Sequence, residues 1–166
     1  LGILPRKPVH NNNSKIKYFN ALTSRLEVDV ICGVETRTNW SLLPNSHQLQ
    51  NILQLREGAR VITGHNEHER FSQAQQGGTF MAIKEFNQGI VQSVGKDITG
   101  LGRWCWIKLK GATSTTRIIV AYEACRTRKC AQNATIAQQR RYWRIQGDKR
   151  CPRRIFREQL VNLITE

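Results

Sequence analysis

The fold is decided by a short apolar stretch, VDVICGV, at Val28–Val34. It is too short and too rich in β-branched residues for a helix, so it predicts a buried strand. Because side chains alternate along a strand, Ile31, Gly33 and Glu35 share one face. Glu35 is therefore a lone carboxylate at the point where the strand ends.

Around this strand the chain predicts one earlier helix, a run of further strands, and two closing helices. The first helix is predicted because apolar residues recur at helical spacing, at positions 16, 19, 22 and 26. Ser14 is the expected N-cap of this helix. Later elements are expected as a short helix at 49–55, strands at 61–62, 79–84, 90–94, 104–110 and 117–123, and helices at 135–146 and from 152 onward. This order is α+β, and no linker or repeat divides residues 1–166, which we expect to form a single domain.

Positive charge is concentrated in the C-terminal part of the chain. The 166 residues contain 26 Lys and Arg against 12 Asp and Glu, a formal net charge of +14. Residues 101–166 hold 15 of these basic residues and only 4 of the acidic ones. Such a surplus favours polyanionic partners, chiefly nucleic acid.

Several classes of protein are disfavoured by the same sequence. No stretch approaches the ~18 apolar residues of a membrane-spanning helix, and no secretory signal is present, so a membrane partner is not expected. The five cysteines are an odd number, and Cys32 and Cys105 lie within predicted strands, which favours reduced thiols and an intracellular protein. The chain begins at Leu1 and ends within a predicted helix at Glu166, so we expect a fragment of a longer protein.

Two strand ends carry candidate functional residues. A hard cation such as Mg²⁺ prefers rigidly held carboxylate oxygens, which Glu35 can supply, although a solvated residue at the strand exit is the simpler alternative. Tyr122 lies near the end of the strand expected at 117–123, and Arg126 and Arg128 follow it. A phenol with guanidinium groups can orient and neutralise a phosphate. The alternative is a tyrosine at the edge of the core with solvated arginines.

The closing helices carry most of the candidate nucleic-acid contacts. Arginine beside the aromatic residues Tyr142 and Trp143 is typical of phosphate contacts combined with base stacking. The run lacks the acidic residues that normally interleave on a solvated face, so nucleic-acid contact and an ordinary solvated face both stay open. The candidates are Arg140, Arg141, Arg144, Arg150, Arg153, Arg154 and Arg157.

A further pattern marks the strand expected at 104–110. Trp104, Trp106, Lys108 and Lys110 alternate with apolar residues and so share one face. That face begins aromatic and ends cationic.

Four segments, taken in order, resemble the endonuclease/exonuclease/phosphatase superfamily, which includes abasic-site endonucleases and the endonuclease domains of retrotransposons. VDVICGVETRTNW at 28–40 is similar to its strand ending in E-T, and QGGTFMAIK at 76–84 to its GG strand. RWCWIKLKGATSTTRIIVAYEACR at 103–126 is similar to its central hairpin, and QQRRYW at 138–143 begins the helical stretch that follows. The sequences of these motifs are most similar to those of retroelement open reading frames, and the resemblance covers most of the chain.

The resemblance implies a fold, an activity and a site. The fold would be part of a β-sandwich, with this chain supplying mainly one mixed or antiparallel sheet and its flanking helices. The activity would be phosphodiester hydrolysis by a metal-activated water, with Mg²⁺ or Mn²⁺ as the only cofactor. The partner would be DNA, with RNA as the alternative, and the location the nucleus. Glu35 matches the metal-binding glutamate and Tyr122 the tyrosine that orients the scissile phosphate. Arg128, or Arg126 after a small shift, matches a DNA-contacting arginine.

Three parts of the family pattern are missing from these 166 residues. By position, the family's N-terminal N-x-N is expected just before Leu1, the G-D-x-N strand with its general-base aspartate after the last helix, and the closing S-D-H with its histidine further still. We therefore expect an incomplete domain, inactive by itself, that needs the missing part of the same domain as its partner. The alternative is a non-catalytic basic module that binds nucleic acid.

Overall fold

A computed structural model describes residues 13–55, 59–68, 75–83, 90–125 and 132–166. The helices are α1 at Asn13–Arg25, α2 at Leu49–Ile52, α3 at Thr135–Ile145 and α4 at Pro152–Thr165. The strands are β1 at Val30–Val34, β2 at Arg60–Gly64, β3 at Thr79–Ile83, β4 at Val91–Lys96, β5 at Trp104–Lys110 and β6 at Thr115–Ala121. The predicted α+β class is confirmed.

The chain divides into two compact units, Leu1–Ala121 and Tyr122–Glu166. Among the described residues, the first unit contains β1 to β6 together with α1 and α2, and the second contains α3 and α4. Each unit is described by itself below.

The first unit contains two three-stranded antiparallel sheets, in the orders β1-β3-β2 and β4-β5-β6. The expectation of mainly one sheet is therefore wrong. The reason lies in β3, whose five residues, Thr79–Ile83, are all buried. A strand that is apolar on both faces needs a covering layer on each face, and the second sheet supplies one of them.

Alternating side chains of β3 enter two separate cores. Phe80 and Ala82 join a core with Ile31 and Trp40, against which Phe19 of α1 packs. On the opposite face of the sheet, a second core is formed by Met81 and Ile83 of β3 together with Cys105 and Ile107 of β5. The two sheets thus stack face to face, as in a β-sandwich.

Helices α1 and α4 are each less fully buried than their apolar spacing predicts. Leu26 is 60% exposed and lies just beyond the end of α1 at Arg25. Ile164 is 62% exposed in the last turn of α4. Ser14 lies within α1 rather than capping it, since the helix includes Asn13.

The connection between β4 and β5 is built on a buried ion pair. The Arg103 side chain donates from Nε to Asp97 Oδ2 at 2.6 Å and from Nη2 to Oδ1 at 2.9 Å. Neither side chain has measurable solvent exposure. Asp97 also accepts hydrogen bonds from the backbone and hydroxyl of Thr99, so its carboxylate organises the whole turn.

Candidate functional site

Glu35 is placed by a β-bulge at the end of β1. The strand pairs regularly with β3 as far as Val34, which lies opposite Thr79. Beyond that pair, the Thr36 N–H donates to the carbonyl of Gly78 at 3.4 Å, so one extra residue lies on the β1 side. That residue is Glu35, which is exposed. Bulges of this kind occur beside active sites, where they redirect a side chain.

The backbone of Glu35 is left-handed, with φ of 54°, and so is that of Arg37, also at 54°. In the described part of the chain, two other non-glycine residues, Glu27 and Gln54, share this conformation. They lie just beyond the C-termini of α1 and α2, where a left-handed residue is a normal way to end a helix. No helix ends near Glu35, so its left-handed backbone belongs to the bulge itself.

The paired glycines of the QGGTF motif lie directly against this bulge. Gly78 has φ of +89°, and a Cβ there would lie 2.4 Å from Oγ1 of Thr36. The Arg37 N–H donates to the carbonyl of Gly77 at 2.9 Å. The structure thus brings together the two sequence segments that carry the E-T and GG motifs.

The segment that follows the bulge is anchored in the core. Asn39 is fully buried. Its side-chain oxygen accepts hydrogen bonds from the N–H and the hydroxyl of Ser41, so Asn39 caps the 3₁₀ turn at Trp40–Leu42. Trp40 is only 3% exposed and belongs to the core beneath β1. Glu35 is therefore held between a strand and an anchored turn, which fixes its backbone on both sides.

Tyr122 follows β6 directly and is half-buried at the start of the second unit. Its neighbours in the sequence, Ile118 and Val120, pack into the core between the sheets. Arg126 and Arg128 lie outside the described residues, so their predicted role remains a prediction.

The arginines around α4 are held by acidic residues. Glu123 accepts hydrogen bonds from Arg153 at 2.8 Å and from Arg157 at 2.9 Å. Glu158 accepts from Arg150 at 2.6 Å and from Arg154 at 2.8 Å. Arg150 also pairs with Asp148 at 2.6 Å. The expectation that this run lacks interleaved acids is therefore wrong, because three carboxylates pair with its four arginines: Asp148 and Glu158 from the same stretch of chain and Glu123 from 30 residues earlier.

These contacts alter the acidity of the carboxylates. The hydrogen bond from Arg153, with a further one from Arg157, lowers the pKa of Glu123 to about 2. The hydrogen bonds from Arg150 lower the pKa of Asp148. Both carboxylates are thus ionised at neutral pH and neutralise part of the positive charge of α4.

The arginines of α3 are in a different position. Arg140 and Arg144 are exposed, and neither forms an ion pair with a residue in the described part of the chain. Arg141 donates to the backbone carbonyl of Gln132 at 2.7 Å. Together with Ile136 and Ala137 these residues line a shallow depression of about 180 Å³.

The aromatic residues of α3 do not both face solvent. Trp143 is buried and its ring packs edge-on against Tyr142, with centroids 4.9 Å apart. Trp143 therefore offers no exposed ring face for base stacking, whereas Tyr142 is half-buried.

Glu123 is the site residue that sequence reasoning missed. It lies beside Tyr122 in a part of the chain with few acids, since residues 101–166 contain only four. That scarcity is itself a signal, because an isolated acid among many arginines is well placed to pair with them.

Comparison with protein-family models and with curated proteins returns no match for this chain. Across the described ranges, no three His, Cys, Asp or Glu side chains cluster in a way that could hold a metal ion. Nor does any helix among the described residues have both the length and the apolar character needed to cross a bilayer.

Proposed function

We propose that this chain forms part of a metal-dependent DNA endonuclease domain of the retroelement type, with Glu35 as a ligand of a divalent cation. The observation that carries the proposal is the bulge that holds Glu35 in left-handed backbone at the exposed end of β1. Strained non-glycine backbone of this kind clusters at functional sites. In this proposal residues 1–166 alone do not nick DNA robustly, since the G-D-x-N and S-D-H motifs are not among them.

The donor chemistry of Glu35 fits a Mg²⁺ or Mn²⁺ ligand. Phosphate-processing sites commonly hold Mg²⁺ through one or two carboxylates, together with substrate phosphates and water. When bound, the cation stabilises the negative charge that develops on the phosphate during hydrolysis. Tyr122 is proposed to donate a hydrogen bond to a phosphate oxygen. The proposed substrate is DNA, with RNA as a further candidate, and the proposed location is the nucleus.

A Glu35→Gln substitution tests this proposal, because it keeps the shape of the side chain and removes its charge. We expect it to weaken Mn²⁺ binding to the 166-residue chain by at least about tenfold, as loss of a metal's protein partners commonly does. The measurement is a titration of free Mn²⁺ followed by its electron paramagnetic resonance signal.

The matched control for this titration is Glu27→Gln. Glu27 is also exposed and left-handed, with φ of 50°, but it follows the end of α1 rather than the bulge. Unchanged Mn²⁺ binding in Glu35→Gln, or an equal loss in both variants, would contradict the metal-ligand proposal.

A second candidate function is non-catalytic binding of nucleic acid, and α3 favours it. Its arginines at 140 and 144 lie one helical turn apart on an exposed face, without acidic partners in the described residues. This spacing suits two neighbouring phosphates, and it needs no metal.

The double substitution Arg140→Gln/Arg144→Gln separates this candidate from the first. In the presence of EDTA, we expect it to lower affinity for a fluorescein-labelled 20-base-pair duplex. The slope of log K against log salt should fall by about 1.8, since each phosphate contact contributes about 0.9. Fluorescence anisotropy at several salt concentrations measures both quantities.

The charge-matched control is Arg150→Gln/Arg154→Gln, which removes two arginines already paired with acids. We expect it to change the salt slope less. An equal change in the two double variants would show that only net charge matters, and the absence of any duplex binding would remove this second candidate.

A further inference from the structure

The outer face of the β4-β5-β6 sheet carries aromatic and cationic side chains. Cys105 and Ile107 of β5 point into the core between the sheets, so Trp106 and Lys108, which alternate with them, point the opposite way. On β6 the matching residues are Ile119, opposite Trp106, and Arg117, opposite Lys108. Lys110 and Thr115 continue this face to the exposed end of the hairpin.

The ring of Trp106 packs over its neighbour on β4, which has no side chain. Gly95 pairs with Trp106, and a Cβ at Gly95 would lie 2.5 Å from atoms of the indole ring. On the β6 side, the Arg117 guanidinium carbon lies 5.0 Å from the ring centroid, within the range of a cation–π contact. Trp106 as a whole is half-buried.

The charged residues that β5 and β6 place on this face are Lys108, Lys110 and Arg117. Lys108 and Arg117 lie directly opposite each other on neighbouring strands, a placement of like charges that destabilises a sheet. Lys110 is exposed one step further along. Strands β4, β5 and β6 contain no acidic residue at all. A polyanion would be attracted to Lys108 and Lys110 on this face.

We propose that this face binds single-stranded nucleic acid, with a base stacked near Trp106 and the backbone phosphates on Lys108 and Lys110. The inference rests on the proposed nucleic-acid function and adds a second surface to it, on the first unit of the chain. Flat aromatic side chains on a sheet, followed by cations, are how proteins commonly hold unpaired bases. A duplex does not fit equally well, because its bases are already stacked on one another.

The experiment uses the complete 166-residue chain and a fluorescein-labelled oligothymidylate of 20 nucleotides. We expect Trp106→Ala to weaken binding by about tenfold, within the range measured for loss of one base-stacking side chain. Lys108→Gln/Lys110→Gln should lower the slope of log K against log salt by about 1.4, as two lost contacts to single-stranded phosphates would. This second variant tests the surface even if Trp106→Ala does not fold.

Trp106→Phe distinguishes contact with the oligonucleotide from a purely structural role of Trp106, because tryptophan fluorescence reports the contact directly. The other three tryptophans, Trp40, Trp104 and Trp143, are buried. Quenching of tryptophan fluorescence by the oligonucleotide should therefore depend on Trp106. In Trp106→Phe the quenching should disappear while affinity is largely kept, since a flat ring remains.

The charge-matched control is Lys17→Gln/Arg25→Gln, which removes two exposed cations from α1. Unchanged oligothymidylate binding in the Lys108/Lys110 variant, or an equal change in the control, would overturn the proposal. So would equal competition by an unlabelled duplex. If oligothymidylate binding does not depend on this face but duplex binding still depends on Arg140 and Arg144, the proposal for α3 is unaffected. The two proposals can therefore fail separately.

Discussion

Asp97 and Arg103 show how much a single buried pair constrains the β4–β5 connection. Two buried charges are tolerated because the carboxylate receives two hydrogen bonds from the guanidinium and two from Thr99. Burial by itself would raise the pKa of Asp97, but the hydrogen bonds from Arg103 outweigh it and the pKa is lowered. The folded chain therefore holds Asp97 in its charged form.

We expect Asp97→Asn to lower the free energy of unfolding by about 3–5 kcal/mol at pH 7, because it leaves the buried Arg103 without a carboxylate. Urea denaturation followed by circular dichroism measures this loss. A lowered pKa in the folded state means that the stabilisation is present above about pH 4, the ordinary range for Asp, and is lost as the pH falls below it.

The difference between wild type and Asp97→Asn should accordingly shrink towards acid pH. Asp148→Asn is the control, since Asp148 pairs with an arginine at the surface, where such pairs contribute little. A loss in Asp97→Asn no larger than that in Asp148→Asn would contradict the role assigned to the buried pair.

The position of Glu35 at a strand end could be predicted from the sequence, but its conformation could not. Alternation and β-branching in residues 28–34 are local signals, and they locate the end of β1 correctly. The bulge depends instead on hydrogen bonds to Gly77 and Gly78, more than 40 positions away. No local pattern reports such a contact.

At the scale of elements, the carboxylate of Glu123 connects α4 to the segment that follows β6. Glu123 bridges Arg153 and Arg157, which lie one turn apart on the helix. Its side chain is only 25% exposed, so these contacts are less screened than the pairs of Glu158. A sequence shows the helical spacing of the arginines but not the distant acid that meets them.

We expect Glu123→Gln to speed hydrogen exchange in α4 by about fivefold, which corresponds to a loss of about 1 kcal/mol. Mass spectrometry of peptides covering 152–165 measures this rate. Because the folded pKa is lowered to about 2, the stabilisation is fully present above pH 4.5 and disappears as the pH falls through about 2. Glu158→Gln serves as the comparison, and an equal effect there would argue against a special role for Glu123.

At the scale of the whole chain, the sequence predicts the kinds of element better than their arrangement. Every strand and helix expected within the described residues is present, since each has a local apolar period. The number of sheets was predicted wrongly, because it depends on which strands pair. β3 takes β1 and β2 as its two neighbours, which leaves β4, β5 and β6 to form a sheet of their own.

The central place of β3 also fixes the order in which the first unit can assemble. Its partner β1 lies about 45 residues earlier in the chain, whereas β4, β5 and β6 are joined in sequence by short connections. Pairing between distant segments is slow, since a long loop must close before any contact forms. On the ribosome, residues 30–64 therefore emerge with no sheet to join until β3 has been synthesised, while the later hairpins can close as soon as they appear.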